Sequence, residues 1–250
     1  MNHFFVSPED IRKEEGSICI SGSDVNHILN VLRMKTGEEL LLSDGEGCDY
    51  HCRITAFEKD GEKCVVCEII DTVTNRSEPA AKFYLFQGLP KADKFEHIIQ
   101  KSVELGVYEI IPLETSRCVV KYDAKKQKSK AERWDKIAES AAKQSHRGVI
   151  PEVKPVMKLR EALEYAKDLD LVLIPYENFK DIKATKEILG NIREGMRIGI
   201  FIGPEGGFEQ SEVEQAENSG AVPISLGNRI LRTETAPLML LSVLTFQLES

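Results

Sequence analysis

From residue 82 onward short apolar runs alternate with amphipathic stretches, and this alternation is what most limits the fold. The apolar runs fall at 83–87, 109–113, 171–175, 197–202 and 222–226. Helical patterns occupy 93–105, 129–145, 181–192, 209–219 and 235–248. Strands that alternate with helices pair in parallel and need helices to cover them, which predicts an α/β domain with a mostly parallel sheet. Ser129 followed three residues later by Glu132 reads as a capping box, with Trp134, Ile137, Ala138, Ala141 and Ala142 as the apolar stripe behind it. Pro237 suits the first turn of the last helix, where its missing N–H is not needed.

The first 70 residues follow a period of two instead. Strands are predicted at 17–20, 39–43, 48–57 and 63–70, with turns at Asp44-Gly45 and Asp60-Gly61. One helix interrupts them, capped by Ser23 or Asp24, with Val25, Ile28, Leu29 and Leu32 on its apolar face and Gly37 beyond its end. The resulting division is a small β-barrel domain over 1–71, a polar linker over 72–81 and the α/β domain over 82–250.

Six cysteines, at 19, 48, 52, 64, 67 and 118, invite a zinc reading through the pairs Cys48/Cys52 and Cys64/Cys67. Against it, Cys48, Tyr50, Cys52 and Ile54 alternate with Asp49, His51 and Arg53, the pattern of a half-buried strand that uses cysteine as a small hydrophobe. Reduced structural thiols and no metal are therefore expected. Residues 1–7 lack a basic start followed by an apolar run, and the longest apolar stretch, 238–248, is too short to cross a bilayer. A cytoplasmic chain with no membrane partner is expected.

The formal net charge is −8, which on its face disfavours nucleic acid. The distribution is uneven: residues 1–70 carry −7, residues 71–150 carry +4 and residues 151–250 carry −5. Between Arg117 and Arg147 there are 10 basic and 4 acidic side chains. This is compatible with a local RNA track and equally with a solvated lysine-rich helix.

Two apolar runs end in glycine-bearing loops, IGPEGGF at 202–208 and LGNRILRTETA at 226–236. Glycine at a strand end lets backbone approach a ligand, and ligands of α/β sheets bind beyond the carboxyl ends of the strands. No GxGxxG and no glycine loop closed by Lys-Ser or Lys-Thr is present, so the pocket is not a dinucleotide or P-loop site.

Together these strings resemble the signature of the RsmE-type 16S ribosomal RNA uridine-N3 methyltransferases, a branch of the SPOUT superfamily. HILNVLRM at 27–34, KADKFEHIIQKSVELG at 91–106 and QSHR at 144–147 fit the remaining blocks, so the resemblance covers nearly the whole chain. It departs from the family at His146, where glycine is commoner. The resemblance implies an N-terminal PUA-like RNA-binding barrel, a C-terminal trefoil knot, a homodimer and S-adenosylmethionine as cofactor. It implies that the cofactor is held by Leu173 and Pro175, by Ile202, Gly203, Pro204, Glu205, Gly206 and Gly207, and by Leu226, Gly227, Ile230, Leu231, Arg232, Thr235 and Ala236.

Methylating N3 of uracil requires removing a proton and stabilising the anion that remains. Arg232 is the first choice to bind the uracil oxygens, with Arg229 as its alternative, and Glu234 is the candidate base if partial burial raises its pKa. Thr233 or Thr235 is expected to cap the last helix, and His97 to be structural or exposed. Arg33, Lys35, Lys91, Arg117 and Arg147 are the expected RNA contacts, while Lys94 and Lys101 are read as solvating charges. The expected substrate is 16S ribosomal RNA in the small subunit. Transfer RNA or large-subunit RNA as target, a non-catalytic assembly factor and a metabolic α/β enzyme stay open as alternatives.

Overall fold

Alternating buried and exposed positions in the first part of the chain build one mixed sheet. Its strands are β1 (Asn2–Phe5), β2 (Ile11–Arg12), β3 (Ser17–Ile20), β4 (Glu39–Ser43), β5 (Cys48–Glu58) and β6 (Cys64–Thr74), in the spatial order β1-β4-β5-β6-β3-β2. Ile18, Ile20, Leu40, Leu42, Cys52, Ile54, Val65 and Cys67 point into one core. The computed structural model describes residues 1–58 and 63–249, and the expected turn at Asp60-Gly61 lies outside them. β6 continues to Thr74, which pairs with Cys48, so the first residues of the expected linker are strand.

The helix of this part, α1 (Ser23–Asn26), runs directly into a π turn over His27–Val31. Neither Ser23 nor Asp24 caps it: Gly22 holds the cap position without a side-chain bond, and the Asp24 carboxylate instead accepts from Lys143 Nζ at 2.9 Å. Val25 and Ile28 are buried as expected, whereas Leu32, whose N–H reaches back five residues to His27, is turned outward. A π turn is wider than an α turn and rotates the residues after it off the apolar face.

Two compact units result, one made of residues 1–78 with 142–150, the other of 79–141 with 151–250. In the second, the strands are β7 (Lys82–Gly88), β8 (Val107–Glu114), β9 (Glu152–Val153), β10 (Met157–Lys158), β11 (Leu171–Pro175), β12 (Arg197–Ile202) and β13 (Val222–Ile224). They form a parallel sheet in the order β10-β8-β7-β12-β11-β13, with β9 alongside β8. Helices α2 (Lys94–Glu104), α3 (Ala124–Gln144), α4 (Leu159–Tyr165), α5 (Ile182–Gly190), α6 (Gln210–Asn218) and α7 (Thr235–Leu248) alternate with these strands. β7 is buried along nearly its whole length, as a strand covered on both faces must be. Phe86 and Phe201 stack 4.2 Å apart on neighbouring strands at the centre of the core.

Two sequence expectations are corrected here. α3 begins five residues before the expected capping box, because Asp123 Oδ1 already accepts the Lys126 N–H at 2.8 Å, and Ser129 lies inside the helix. The seven-residue α4 is too short to show a helical period and was not foreseen. Among the described residues, no helix is long and apolar enough to cross a membrane.

Candidate active site

β11, β12 and β13 run side by side and in parallel, so their carboxyl ends, and the loops that leave them, meet at one edge of the sheet. A cavity of about 380 Å³ opens there. This volume lies within the range of small-molecule pockets. Its walls are the loop from Ile202 to Phe208, the loop from Ser225 to Glu234, and Pro175, Tyr176 and Glu177 at the end of β11.

The first loop folds back on itself. A Cβ on Gly203 would lie 2.8 Å from the carbonyl carbon of Gly207, closer than real Cβ atoms come. Gly207, at φ 66°, turns the chain and donates its N–H to the Pro204 carbonyl at 2.9 Å. Outside the cavity Arg117 Nη1 donates to the Gly206 carbonyl at 2.6 Å, and Glu212 accepts the N–H groups of Ser116 and Glu209, both at 2.8 Å. The second loop starts from Ser225, whose N–H donates to Thr185 Oγ1 on α5 at 2.9 Å.

One hydroxyl joins the two loops. Thr233 Oγ1 donates to the Gly203 carbonyl at 2.7 Å and accepts from Gln87 Nε2, at the end of β7, at 3.0 Å. The expected helix-capping role therefore falls to neither threonine: Glu234 stands at the cap position of α7 without a side-chain bond.

Three charged groups from three loops meet at one wall. Lys94 Nζ, at the start of α2, is 3.1 Å from Glu205 Oε1 and 3.6 Å from Glu234 Oε2. Glu205 Oε1 also accepts the Lys91 backbone N–H at 3.0 Å. Burial pushes the Glu205 pKa up, but its own backbone N–H, that of Lys91 and the Lys94 ammonium outweigh this and hold it below the usual carboxylate value. Lys94 is raised, chiefly by its hydrogen bond to Glu205, against the opposing effect of desolvation. Glu234 Oε2 is buried and has no hydrogen-bond partner among the described residues. A buried carboxylate oxygen in a pocket wall that makes an ion pair but no hydrogen bond is suited to accept a donor from a ligand.

Of the residues expected around a cofactor, Pro175, Ile202, Gly203, Pro204, Glu205, Gly206, Gly207, Leu226, Gly227, Ile230, Leu231, Arg232 and Ala236 line the cavity, and so does Glu234. Leu173 and Thr235 do not. Leu173 is fully buried between Ile200 of β12 and Val222 of β13, and Thr235 is the exposed first residue of α7. Lys94, read from the sequence as a solvating charge, lines the cavity too, as do Tyr176, Glu177 and Lys180, which the sequence did not single out. The position of Lys94 just past a strand end was the available signal, and it was outweighed by the commonness of lysine on helix surfaces.

Among the expected RNA contacts, Arg33 and Lys35 are exposed in the first unit, and Lys91 and Arg117 are exposed beside the cavity loop. Arg147 is a correction. It is only 2% exposed, and its guanidinium is bound to Glu78, Nε donating to Oε1 at 3.0 Å. A guanidinium that neutralises a neighbouring carboxylate in the interior is not presented to RNA. His146 adopts φ 56°, the conformation that glycine reaches freely, and stacks on His3 with centroids 5.4 Å apart. The six cysteines are free thiols, and no group of three or more potential metal ligands gathers among the described residues.

Residues 76–245 match the family model of an RNA methyltransferase domain, and residues 20–67 that of an RNA methyltransferase PUA domain. A Bacillus subtilis (strain 168) protein, ribosomal RNA small subunit methyltransferase E, is 40% identical over 253 residues, spanning 100% of this chain and 98% of that one. The chain belongs to the RsmE family of RNA methyltransferases. Its Mesomycoplasma hyopneumoniae (strain 232) relative of the same description is 34% identical over 242 residues, 97% of this chain and 98% of that one. The fold agrees with the crystal structure of the Neisseria gonorrhoeae RsmE bound to S-adenosyl methionine, at a TM-score of 0.81 and 33% identity, covering 99% of this chain and 98% of that one. The expected PUA-like unit followed by an α/β methyltransferase domain is thus the architecture of an RsmE.

Proposed function

We propose that this chain transfers the methyl group of S-adenosylmethionine to N3 of one uridine of 16S ribosomal RNA, within the small ribosomal subunit. The observation that carries the reading is the vacant, buried Glu234 Oε2 in a pocket walled by two glycine loops. The cavity fits the cofactor in kind. Backbone groups of 202–207 and 226–232 suit an uncharged adenine edge, and Ile202, Leu226 and Leu231 supply apolar walls. When bound, the cofactor supplies an electrophilic methyl group on a sulfonium.

The chain's own residues then have two tasks. Glu234 Oε2 takes the proton from uracil N3, and the exposed Arg232 guanidinium binds the ring oxygens and favours the anion that is left. The loops hold the reacting atoms in line, and positioning of this kind supplies much of the acceleration. Arg33, Lys35, Lys91 and Arg117 contact phosphates, which gives affinity and register rather than sequence choice.

The reading extends to a trefoil threading of the last third of the chain, to a cytoplasmic location and to a homodimer. Convergence of the loops after β11, β12 and β13 on one pocket supports the threading. The outward face of α7 supports the dimer: Met239, Val243 and Phe246, at 39, 40 and 80% exposure, sit three and four residues apart on it.

The test is transfer of labelled methyl to small subunits lacking the modification, with naked 16S RNA and large subunits as parallel substrates. Label recovered as 3-methyluridine from small subunits is expected, with Arg232→Ala and Glu234→Gln each lowering kcat by about 10²- to 10⁴-fold. Label in another nucleoside or only in large-subunit RNA would overturn the assignment.

A further inference from the structure

The Lys94 ammonium stands between two carboxylates that come from different loops. Glu205 is fixed from several sides: its Oε1 takes the Lys91 N–H at 3.0 Å and Lys94 Nζ at 3.1 Å. Glu234 is not fixed in this way. Its Oε2 lies 3.6 Å from the same ammonium, an electrostatic contact too long for a hydrogen bond, and no other group bonds to it among the described residues. The trio therefore carries one cation and two anions, and the surplus acceptor belongs to a residue that lines the cavity.

We infer that Lys94 is a positioning residue for the methyl transfer: by cancelling the charge of Glu205, its ammonium lets the Glu234 carboxylate stand beside it with Oε2 left to accept the substrate N–H. The inference rests on the reading of Glu234 as proton acceptor. Without the ammonium, two carboxylates face each other across one pocket wall. Like charges that share one site raise the pKa of one of them, which favours its taking up a proton. A proton resting on Glu234 fills the site that must receive the one from uracil N3. Removing Glu205 as well restores the balance, because Glu234 is then the only carboxylate of the cluster and ionises without a neighbour to oppose it.

This makes a rescue the decisive experiment. Turnover is measured at saturating cofactor and RNA for the wild type, Lys94→Met, Lys94→Arg, Glu234→Gln and the double variant Lys94→Met/Glu205→Gln, with cofactor affinity measured separately by calorimetry. Lys94→Met is expected to lower kcat by about 10²-fold with KM for RNA nearly unchanged, the scale of a lost proton-transfer group. Lys94→Arg keeps most of the activity, and the double variant recovers at least about tenfold of what Lys94→Met lost. A residue that merely tied the loops together would not be rescued by deleting its partner. A double variant no better than Lys94→Met, or a Lys94→Met whose only defect is in KM or cofactor affinity, would overturn the inference. Full activity in Glu234→Gln would sink the reading of Glu234 as acceptor, and this inference with it. Loss in Glu234→Gln beside full activity in Lys94→Met would overturn the role of Lys94 alone.

Discussion

The hydroxyl of Thr233 is bonded at both ends, to the Gly203 carbonyl and to the Gln87 amide, so it sets the spacing of two loops that are 30 residues apart. Thr233→Val keeps the shape and removes both bonds. Stability is expected to fall by about 1–3 kcal/mol, since buried Gln87 is left short of a partner, and cofactor affinity to fall with it. Urea unfolding and calorimetric titration with cofactor check the two effects. His3 makes a different kind of prediction. Burial lowers its pKa below the ordinary histidine value, against the raising effects of the Lys143 carbonyl and Asp49. The unfolded chain therefore binds this proton at a higher pH than the folded one, so the stability that a neutral His3 contributes is complete above about pH 6.5 and declines as pH falls toward the lower folded value. In His3→Gln the urea midpoint should change less between pH 7.5 and 5.5 than in the wild type. Single residues were also where the sequence was least legible. Glu234 and Arg232 line the cavity and stood out because their motif is distinctive, but the contacts of Lys94 and Arg147 are to Glu205 and Glu78, which are 111 and 69 positions away along the chain.

Long, strongly periodic elements were the most legible. β7, β11, β12, α5 and α7 lie where the apolar pattern put them, because burial on one stripe or on both faces leaves a mark that needs no knowledge of the partner. α4 and the two-residue strands β9 and β10 were not legible, since elements this short carry no full period. The start of α3 was misjudged for a reason of competition: two plausible caps, Asp123 and Ser129, stand within two turns, and lysines that favour a helix fill the space between them. α7 yields a prediction of its own. Its sequence is apolar almost all round, yet it buries only one side, through Leu240, Leu241 and Leu244. If the opposite side is the seam of a homodimer, Phe246→Asp places a charge in it. The variant is expected to elute as a monomer in light-scattering chromatography at concentrations where the wild type is dimeric, while its circular dichroism stays unchanged.

At the scale of the whole molecule the charge balance misleads. A chain at −8 is expected here to bind an anion, through a few exposed cations such as Arg33, Lys35, Lys91 and Arg117 and not through its total charge. Binding to small-subunit RNA should therefore weaken steeply with salt, and a plot of log affinity against log salt should be linear with negative slope. Affinity indifferent to salt between 50 and 200 mM, measured by filter binding at about those limits, would contradict phosphate contacts as its source. The order of β-rich and α/β parts was readable from the change of period near residue 80, but the return of the chain to its first unit at 142–150 was not, because it follows from contacts and not from composition. That return has a consequence for inheritance. Lys143 supplies the partner of Asp24 and the acceptor for His3, and Arg147 the partner of Glu78, so the first unit is complete only with a segment encoded about 70 codons downstream of its last strand. A single genetic crossover near residue 78 would hand a recipient protein a module without the bonds that 142–150 make to His3, Asp24, Asn75 and Glu78. A transfer that keeps those bonds has to carry 142–150 as well, and with it the stretch of the methyltransferase domain that lies between.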